Sequence, residues 1–358
     1  MKHDTFKTIN GVFYTTKLNW LTPTVINFIN SLNPSHYCDP FAGDGNLLDA
    51  LNTFDKTPHL PIIGFDLNRP EKWKKNDSLV KIPELPEKSI IITNPPWLGK
   101  SSASKKGILN EVEAYYDTDG LKFIDLYEVA IYRMIQSGHP FVSLVPDSVI
   151  TSDSKRFKFR DKLTAIISLK ESPFDDTGYL TSVILYDPNN KEPLKIYWSE
   201  ETDNGIEDKY IGTMEELESK KFGIDKLDRP KRKISINGNK GVIGARTLDN
   251  RTGKNNAQFL SFDAFDKITR KSKWSRRFLN WIDIDEKELE GIDTNVLVDR
   301  CNEVLREYRA GPCEILNPSF MENNHLGQRR RRISSDLIRY ILEIVLDELQ
   351  GKKCVSRA

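Results

Sequence analysis

A chain of 358 residues with 38% apolar content is long enough for two domains and hydrophobic enough to build their cores, which excludes disorder as its resting state. Lys and Arg number 53 against 52 Asp and Glu, a net charge of +1, so a polyanionic partner has to be met by basic charge concentrated locally. No stretch approaches the roughly 18 to 20 apolar residues of a membrane span, the start is polar, and Cys38, Cys301, Cys313 and Cys354 are dispersed without histidines at ligand spacing; the expectation is a cytoplasmic protein with no membrane contact, no disulfide frame and no metal.

The first informative stretch is Tyr37-Cys38-Asp39-Pro40-Phe41-Ala42-Gly43-Asp44-Gly45-Asn46-Leu47-Leu48, which reads as a strand end, a glycine turn and the start of a helix that continues through Leu51. Gly43 and Gly45 permit a sharp turn close to a ligand, while Asp39 and Asp44 suit a cationic amine and would repel a phosphate. The apolar segment Leu60 to Phe65 ends in Asp66, placed where an acid can accept both hydroxyls of a ribose. Asn76-Asp77-Ser78-Leu79 follows, a stretch that also fits a solvated turn. Ser89-Ile90-Ile91-Ile92-Thr93 has the length and β-branched content of a buried strand, and Asn94-Pro95-Pro96-Trp97 stiffens the chain where that strand ends. The Asn94 side-chain oxygen and the Pro95 carbonyl can accept hydrogen bonds from one amino group, and Trp97 offers a flat face to a purine.

Gly99 to Gly107 is polar, cationic and bounded by glycines, so it reads as a mobile loop in which Lys100, Lys105 and Lys106 are candidate phosphate contacts. Helical spacing from Phe123 to Ile135 precedes buried strands at Pro140 to Pro146, Leu163 to Leu169 and Thr181 to Tyr186, and this alternation predicts a doubly wound α/β sheet. The sheet is expected to close near Asp187, so that residues 1–187 form one domain and 188–358 a second. Ser199 to Ser219, acidic and without periodicity, reads as surface.

From Asp225 to Asn280, 15 Lys or Arg stand against five Asp or Glu, including Arg232, Arg246, Arg251, Lys254, Arg276 and Arg277. Asn250, Asn255, Asn256 and Gln258 add amides able to reach base edges. A second cationic cluster, Arg329-Arg330-Arg331-Arg332, precedes a helix capped by Ser334 or Ser335, whose apolar face from Leu337 to Leu349 packs on its own domain or on another subunit, leaving monomer and dimer both open.

Asn-Pro-Pro-aromatic after a strand, with the acidic glycine turn upstream and a basic region downstream, resembles the gamma-class DNA adenine-N6 methyltransferases of type II restriction-modification systems. The resemblance spans about half the chain. It implies a Rossmann-like, mostly parallel methyltransferase sheet with an antiparallel terminal hairpin, followed by a smaller C-terminal DNA-recognition domain. It further implies S-adenosyl-L-methionine as cofactor, bound by Tyr14, Thr15, Asp39, Pro40, Phe41, Ala42, Gly43, Gly45, Asp66, Asp77 and Asn94. In that pattern Tyr14 and Thr15 belong to a motif closing over the methionine end, although Thr16 stands where proline is usual. Asp77 meets the cofactor adenine's amino group, and Asn94, Pro95, Trp97 and Phe174 act on the target base; Tyr179 rivals Phe174. The implied partner is double-stranded DNA, read by Lys100, Lys105, Lys106, Arg246, Arg251, Lys254, Arg276, Arg277, Arg329 and Arg330. A cognate restriction endonuclease would act on the same site without stable binding. An enzyme of the same fold acting on an RNA base or a glutamine side chain is the alternative.

Overall fold

A computed structural model of the protein describes residues 15, 17–69, 71–151, 159–175, 179–220, 232–238, 240–254, 256–271, 278–317, 323–326 and 328–351. Tyr14, Arg276 and Arg277 lie outside these. The chain divides into two units, Met1–Met214 and Glu215–Ala358. Among the described residues no helix is long and apolar enough to cross a membrane.

The first unit is α/β. Its strands are β1 (His36–Asp39), β2 (Ile62–Asp66), β3 (Lys74–Lys75), β4 (Ser89–Thr93), the short pair β5 (Asp117–Thr118) and β6 (Leu121–Lys122), then β7 (Phe141–Pro146), β8 (Ala165–Leu169), β9 (Thr181–Tyr186), β10 (Lys195–Thr202) and β11 (Gly205–Thr213). All but β5 and β6 form one nine-stranded sheet in the order β11-β10-β8-β9-β7-β4-β1-β2-β3. The half containing β7, β4, β1, β2 and β3 is parallel throughout. Strand β9 runs antiparallel between β7 and β8, forming the expected hairpin.

Strand β4 sits between β1 and β7, and each of its five residues is buried, as a run of three isoleucines with neighbours on both sides requires. Pro95 and Pro96 supply no N–H for further pairing, so the strand stops at Thr93. Helix α1 (Pro23–Leu32) starts on Thr22, whose hydroxyl accepts from Val25 N, with proline in its first turn. Helix α2 (Asn46–Thr53) leaves the glycine turn directly.

Two expectations are corrected here. Residues 99–107 hold a helix, α3 (Lys100–Lys106), with Gly107 in the left-handed region as its C-cap and Ala103 fully buried. Serines and flanking glycines imitate a loop in sequence, but a single buried alanine suffices to seat two turns. Secondly, the sheet does not close at Asp187. Strand β10 pairs parallel to β8 and turns into β11, which carries the unit on to Met214. Both strands have one charged, solvated face, so apolar alternation is weak; the Asn204-Gly205 step at their turn was the readable hairpin signal. A later helix, α4 (Leu126–Ser137), is closed by a capping box between Asp125 and Glu128.

The second unit holds a four-stranded antiparallel sheet in the order β12 (Ile234–Gly238), β15 (Leu279–Ile284), β13 (Ile243–Arg246), β14 (Gln258–Ser261). Helices α5 (Phe262–Lys271), α6 (Thr294–Ala310) and α7 (Ser335–Leu349) accompany it. The apolar stripe of α7 is buried in its own unit with Leu297, Cys301 and Leu305 of α6 and Ile243 and Ile282 of the sheet. Ser334 is its N-cap, its side chain accepting from Leu337 N.

Arg232, part of the expected basic surface, is instead a buried hub. Its guanidinium reaches Glu288 at 2.9 Å, Glu343 at 2.7 Å and Asp347 at 2.6 Å, with only 3% of the side chain exposed. Removing one member of a buried ion cluster strands the remaining charges. Arg232→Ala is therefore expected to destabilise the protein by about 3–5 kcal/mol in urea unfolding, whereas Lys209→Ala on an exposed strand face stays within about 0.5 kcal/mol.

Candidate active site

Strands β1 and β4 are neighbours in the parallel half, so the turn after one and the corner after the other emerge side by side at their carboxyl ends. One cavity there is lined by Thr15, Asp39, residues 41–47 and Asn94. Three stretches read separately in the sequence are thereby brought together.

The turn's shape follows from its glycines: Gly43 has φ +51° and Gly45 +87°, both in the left-handed region. Two further groups hold it. Asp66 at the end of β2 accepts from Gly43 N at 2.9 Å, and the Trp73 indole donates to Gly43 O at 2.8 Å. A Cβ on Gly45 would lie 2.7 Å from the Trp73 ring, so this position is closed to larger residues sterically as well as by its φ. Asp44, expected to face a cationic ligand, forms an ion pair with Arg69 at 3.0 Å. Trp73 and Arg69 carry no sequence signal of this role, because both follow β2 in an irregular segment.

Asp39 is 2% exposed and its Oδ1 accepts from Thr93 Oγ1 at 2.5 Å and from Phe41 N at 2.9 Å. Burial raises its carboxyl to about 7 against the lowering pull of those two donors, and the Asp66 charge adds to the rise. Asn94 is half-buried and lines the same cavity. Thr15 is buried, and its hydroxyl has no hydrogen-bond partner among the described residues. It is held at the cavity by an antiparallel bridge to Phe174. A buried carboxylate, an amide oxygen and an orphan hydroxyl around one cavity suit a small zwitterion.

Phe174 also meets the corner: its ring lies 5.3 Å from that of Trp97 in an edge-on arrangement at 80°, and both are buried. The rival Tyr179 is 48% exposed. Asp77 is half-buried; its Oδ1 accepts from Leu79 N at 3.2 Å and its Oδ2 from the Tyr115 hydroxyl at 2.7 Å. Pro40 is buried behind the turn and does not line the cavity.

The candidate nucleic-acid contacts separate into two groups. Lys105, Lys106, Arg251 and Lys254 are exposed, and Arg246 is half-buried with its pKa lowered by desolvation. Lys100 pairs with Glu113 at 3.3 Å. Arg330 is buried and donates to the Asp249 carbonyl at 3.1 Å, and its neighbour Arg331 to the Asn317 carbonyl at 3.0 Å. Arg329 is half-buried beside them. A run of arginines in sequence does not reveal which of them fold inward. Among the described residues no cluster is placed to hold a metal ion.

No family model and no curated protein matches the chain. Among solved structures it is similar to the methyltransferase subunit of a type I restriction-modification system from Streptococcus thermophilus, at 16% identity over 72% of this chain and 57% of that one, with a TM-score of 0.38. It is also similar to the type IIG restriction endonuclease BpuSI, at 16% identity over 61% and 33% of the two chains and a TM-score of 0.41. The type I restriction enzyme EcoKI M protein gives 18% identity over 49% and 47%, with a TM-score of 0.32. The chain thus spans about half the length of the two methyltransferase subunits and a third of the endonuclease. These likenesses are loose.

The folded state retains on Asp39 a proton that the unfolded chain gives up near the ordinary carboxyl value of 3.8. This group's contribution to stability is therefore complete below that value and lost as pH rises through about 7. Asp39→Asn is expected to remove that part of the pH dependence in urea unfolding between about pH 4 and pH 8. Thr93→Val, which deletes a donor to the carboxylate, should move the 13C titration of Asp39 above about 7.

Proposed function

We propose that the chain transfers a methyl group from S-adenosylmethionine to the N6 amino group of an adenine flipped out of a specific duplex DNA sequence, as the modification enzyme of a restriction-modification system. The observation that carries this reading is the single cavity in which Thr15, the acidic glycine turn and Asn94 meet. The residues present fit the cofactor. Asp39 and the Asn94 oxygen suit its ammonium group, the orphan Thr15 hydroxyl its carboxylate, Asp66 its ribose and Asp77 its adenine amino group. Bound there, S-adenosylmethionine supplies an electrophilic methyl group on a sulfonium.

The chain's own residues do the rest. The lone pair of adenine N6 is delocalised into the ring, so the corner has to favour a more tetrahedral nitrogen. Asn94 Oδ1 and Pro95 O accept its two N–H bonds, hold them out of the ring plane and favour the positive charge that develops on nitrogen. The proton leaves after transfer, so no strong base is needed at the corner. The double proline keeps both acceptors on a stiff backbone. Trp97 and Phe174 close on each other edge to face, and a base entering between them requires the rings to part.

In the second unit, Arg246, Arg251 and Lys254, with Arg329 beside them in sequence and Lys105 and Lys106 in the first unit, are the proposed phosphate contacts. Lys100 and Arg330 already serve other partners and are omitted from this set. A cytoplasmic location and a cognate endonuclease acting on the same site without stable association belong to the same reading.

Incubation with labelled S-adenosylmethionine and duplex DNA, structured RNA or protein is expected to label the duplex. Label in RNA or on glutamine alone would overturn the DNA assignment and leave methyl transfer standing. Asn94→Ala should cost about 10²–10³-fold in transfer rate with cofactor affinity little changed. Phe174→Ala should lower transfer to duplex DNA by about 5- to 150-fold, with partial recovery on a target base opposite a mismatch, which is cheaper to unstack.

A further inference from the structure

Residues 100–116 leave the Asn94–Trp97 corner as helix α3, pass through a short helix at Leu109–Val112 and end in the 3-10 turn Glu113–Tyr116. That turn carries two consecutive tyrosines whose hydroxyls diverge. Tyr115 donates to Asp77 Oδ2 at 2.7 Å, and Tyr116 donates to the Leu98 carbonyl at 2.7 Å. Leu98 directly follows Trp97. Both rings pack in one cluster with Leu79, Leu98 and Ala103, and Phe41 of the cofactor turn leans on the same cluster.

We propose that Tyr115 and Tyr116 are positioning residues: Tyr115 fixes the Asp77 carboxylate that reads the amino group of the cofactor adenine, and Tyr116 fixes the peptide that sets Trp97 at the catalytic corner. The proposal rests on the methyl-transfer reading above. A carboxylate on an exposed turn rotates, and a donor to each oxygen, Leu79 N on one and Tyr115 on the other, fixes its plane while leaving lone pairs for a ligand N–H. Tyr116 is 1% exposed, so its hydroxyl has no water to turn to, and the Leu98 carbonyl is held firmly. Burial raises both phenols, Tyr115 to about 12, so that each remains a donor at neutral pH. Because the tyrosines are adjacent on one turn, the adenine end and the corner are referenced to the same piece of backbone.

The test measures calorimetric affinity for S-adenosylhomocysteine and S-inosylhomocysteine, which differ at the purine 6-position, in the wild type, Tyr115→Phe, Asp77→Asn and the double variant. The wild type is expected to prefer the adenosyl ligand, Tyr115→Phe to narrow that preference by about tenfold, and the double variant to match Asp77→Asn alone. For Tyr116→Phe, single-turnover transfer from labelled S-adenosylmethionine to unmodified mixed-sequence duplex DNA should slow by about tenfold with the KM for S-adenosylmethionine unchanged. A full adenosyl preference in Tyr115→Phe, or effects of the two Asp77 and Tyr115 changes that simply add, overturns the role of Tyr115. An unaltered rate in Tyr116→Phe, or a KM that rises in step with the loss, overturns that of Tyr116. Each tyrosine has its own variant, so misfolding of one leaves the other decisive, and a wild type that binds neither ligand overturns the methyl-transfer reading itself.

Discussion

The hydrogen bond from Thr93 to Asp39 joins the last residue of one central strand to the last residue of its neighbour, out of contact with water. Everything around the cavity depends on it. The glycine turn leaves β1 at Asp39, and the rigid corner leaves β4 at Thr93. Had either strand slipped by one residue, every side chain along it would face the other side of the sheet, and the carboxylate and the amide would no longer line one space. The buried isoleucines of β4 prevent the slip, since both faces of that strand are packed.

Burying a carboxyl that its two donors do not fully compensate leaves Asp39 with a raised pKa. A cationic ligand amine would reverse that cost. The empty cavity thus carries a destabilisation that its occupant relieves, a common feature of sites built to bind charge.

Most of the first unit was legible in the sequence for a definite reason. Strands buried on both faces announce themselves as unbroken β-branched runs, and the residues that end them, Gly43, Gly45, Pro95 and Pro96, have no ordinary role inside an element. The partners in space were not legible. Trp73 and Tyr115 act through single hydrogen bonds to Gly43 and Asp77, and no spacing in the chain encodes such contacts. The β10–β11 hairpin was hidden by its charged outer face, and helix α3 by its serines. In the second unit a count of basic residues overstated the surface charge. Arg232, Arg330 and Arg331 are folded inward against carboxylates and carbonyls, and Asp249 organises the loops around it through Arg309 and the backbone of Ala257 and Arg331.

The edge-to-face contact between Trp97 and Phe174 has a thermodynamic corollary. Two aromatic rings that plug their own slot keep it dry without a guest, so a planar visitor displaces ring from ring and not ring from water. Admission is then an exchange of like for like, nearly neutral in energy, and the slot has little pull of its own on a base that is still comfortably stacked elsewhere. Discrimination falls to whatever loosens the base beforehand. A self-sealed mouth of this kind makes the centre indifferent to most of the polymer sliding past it.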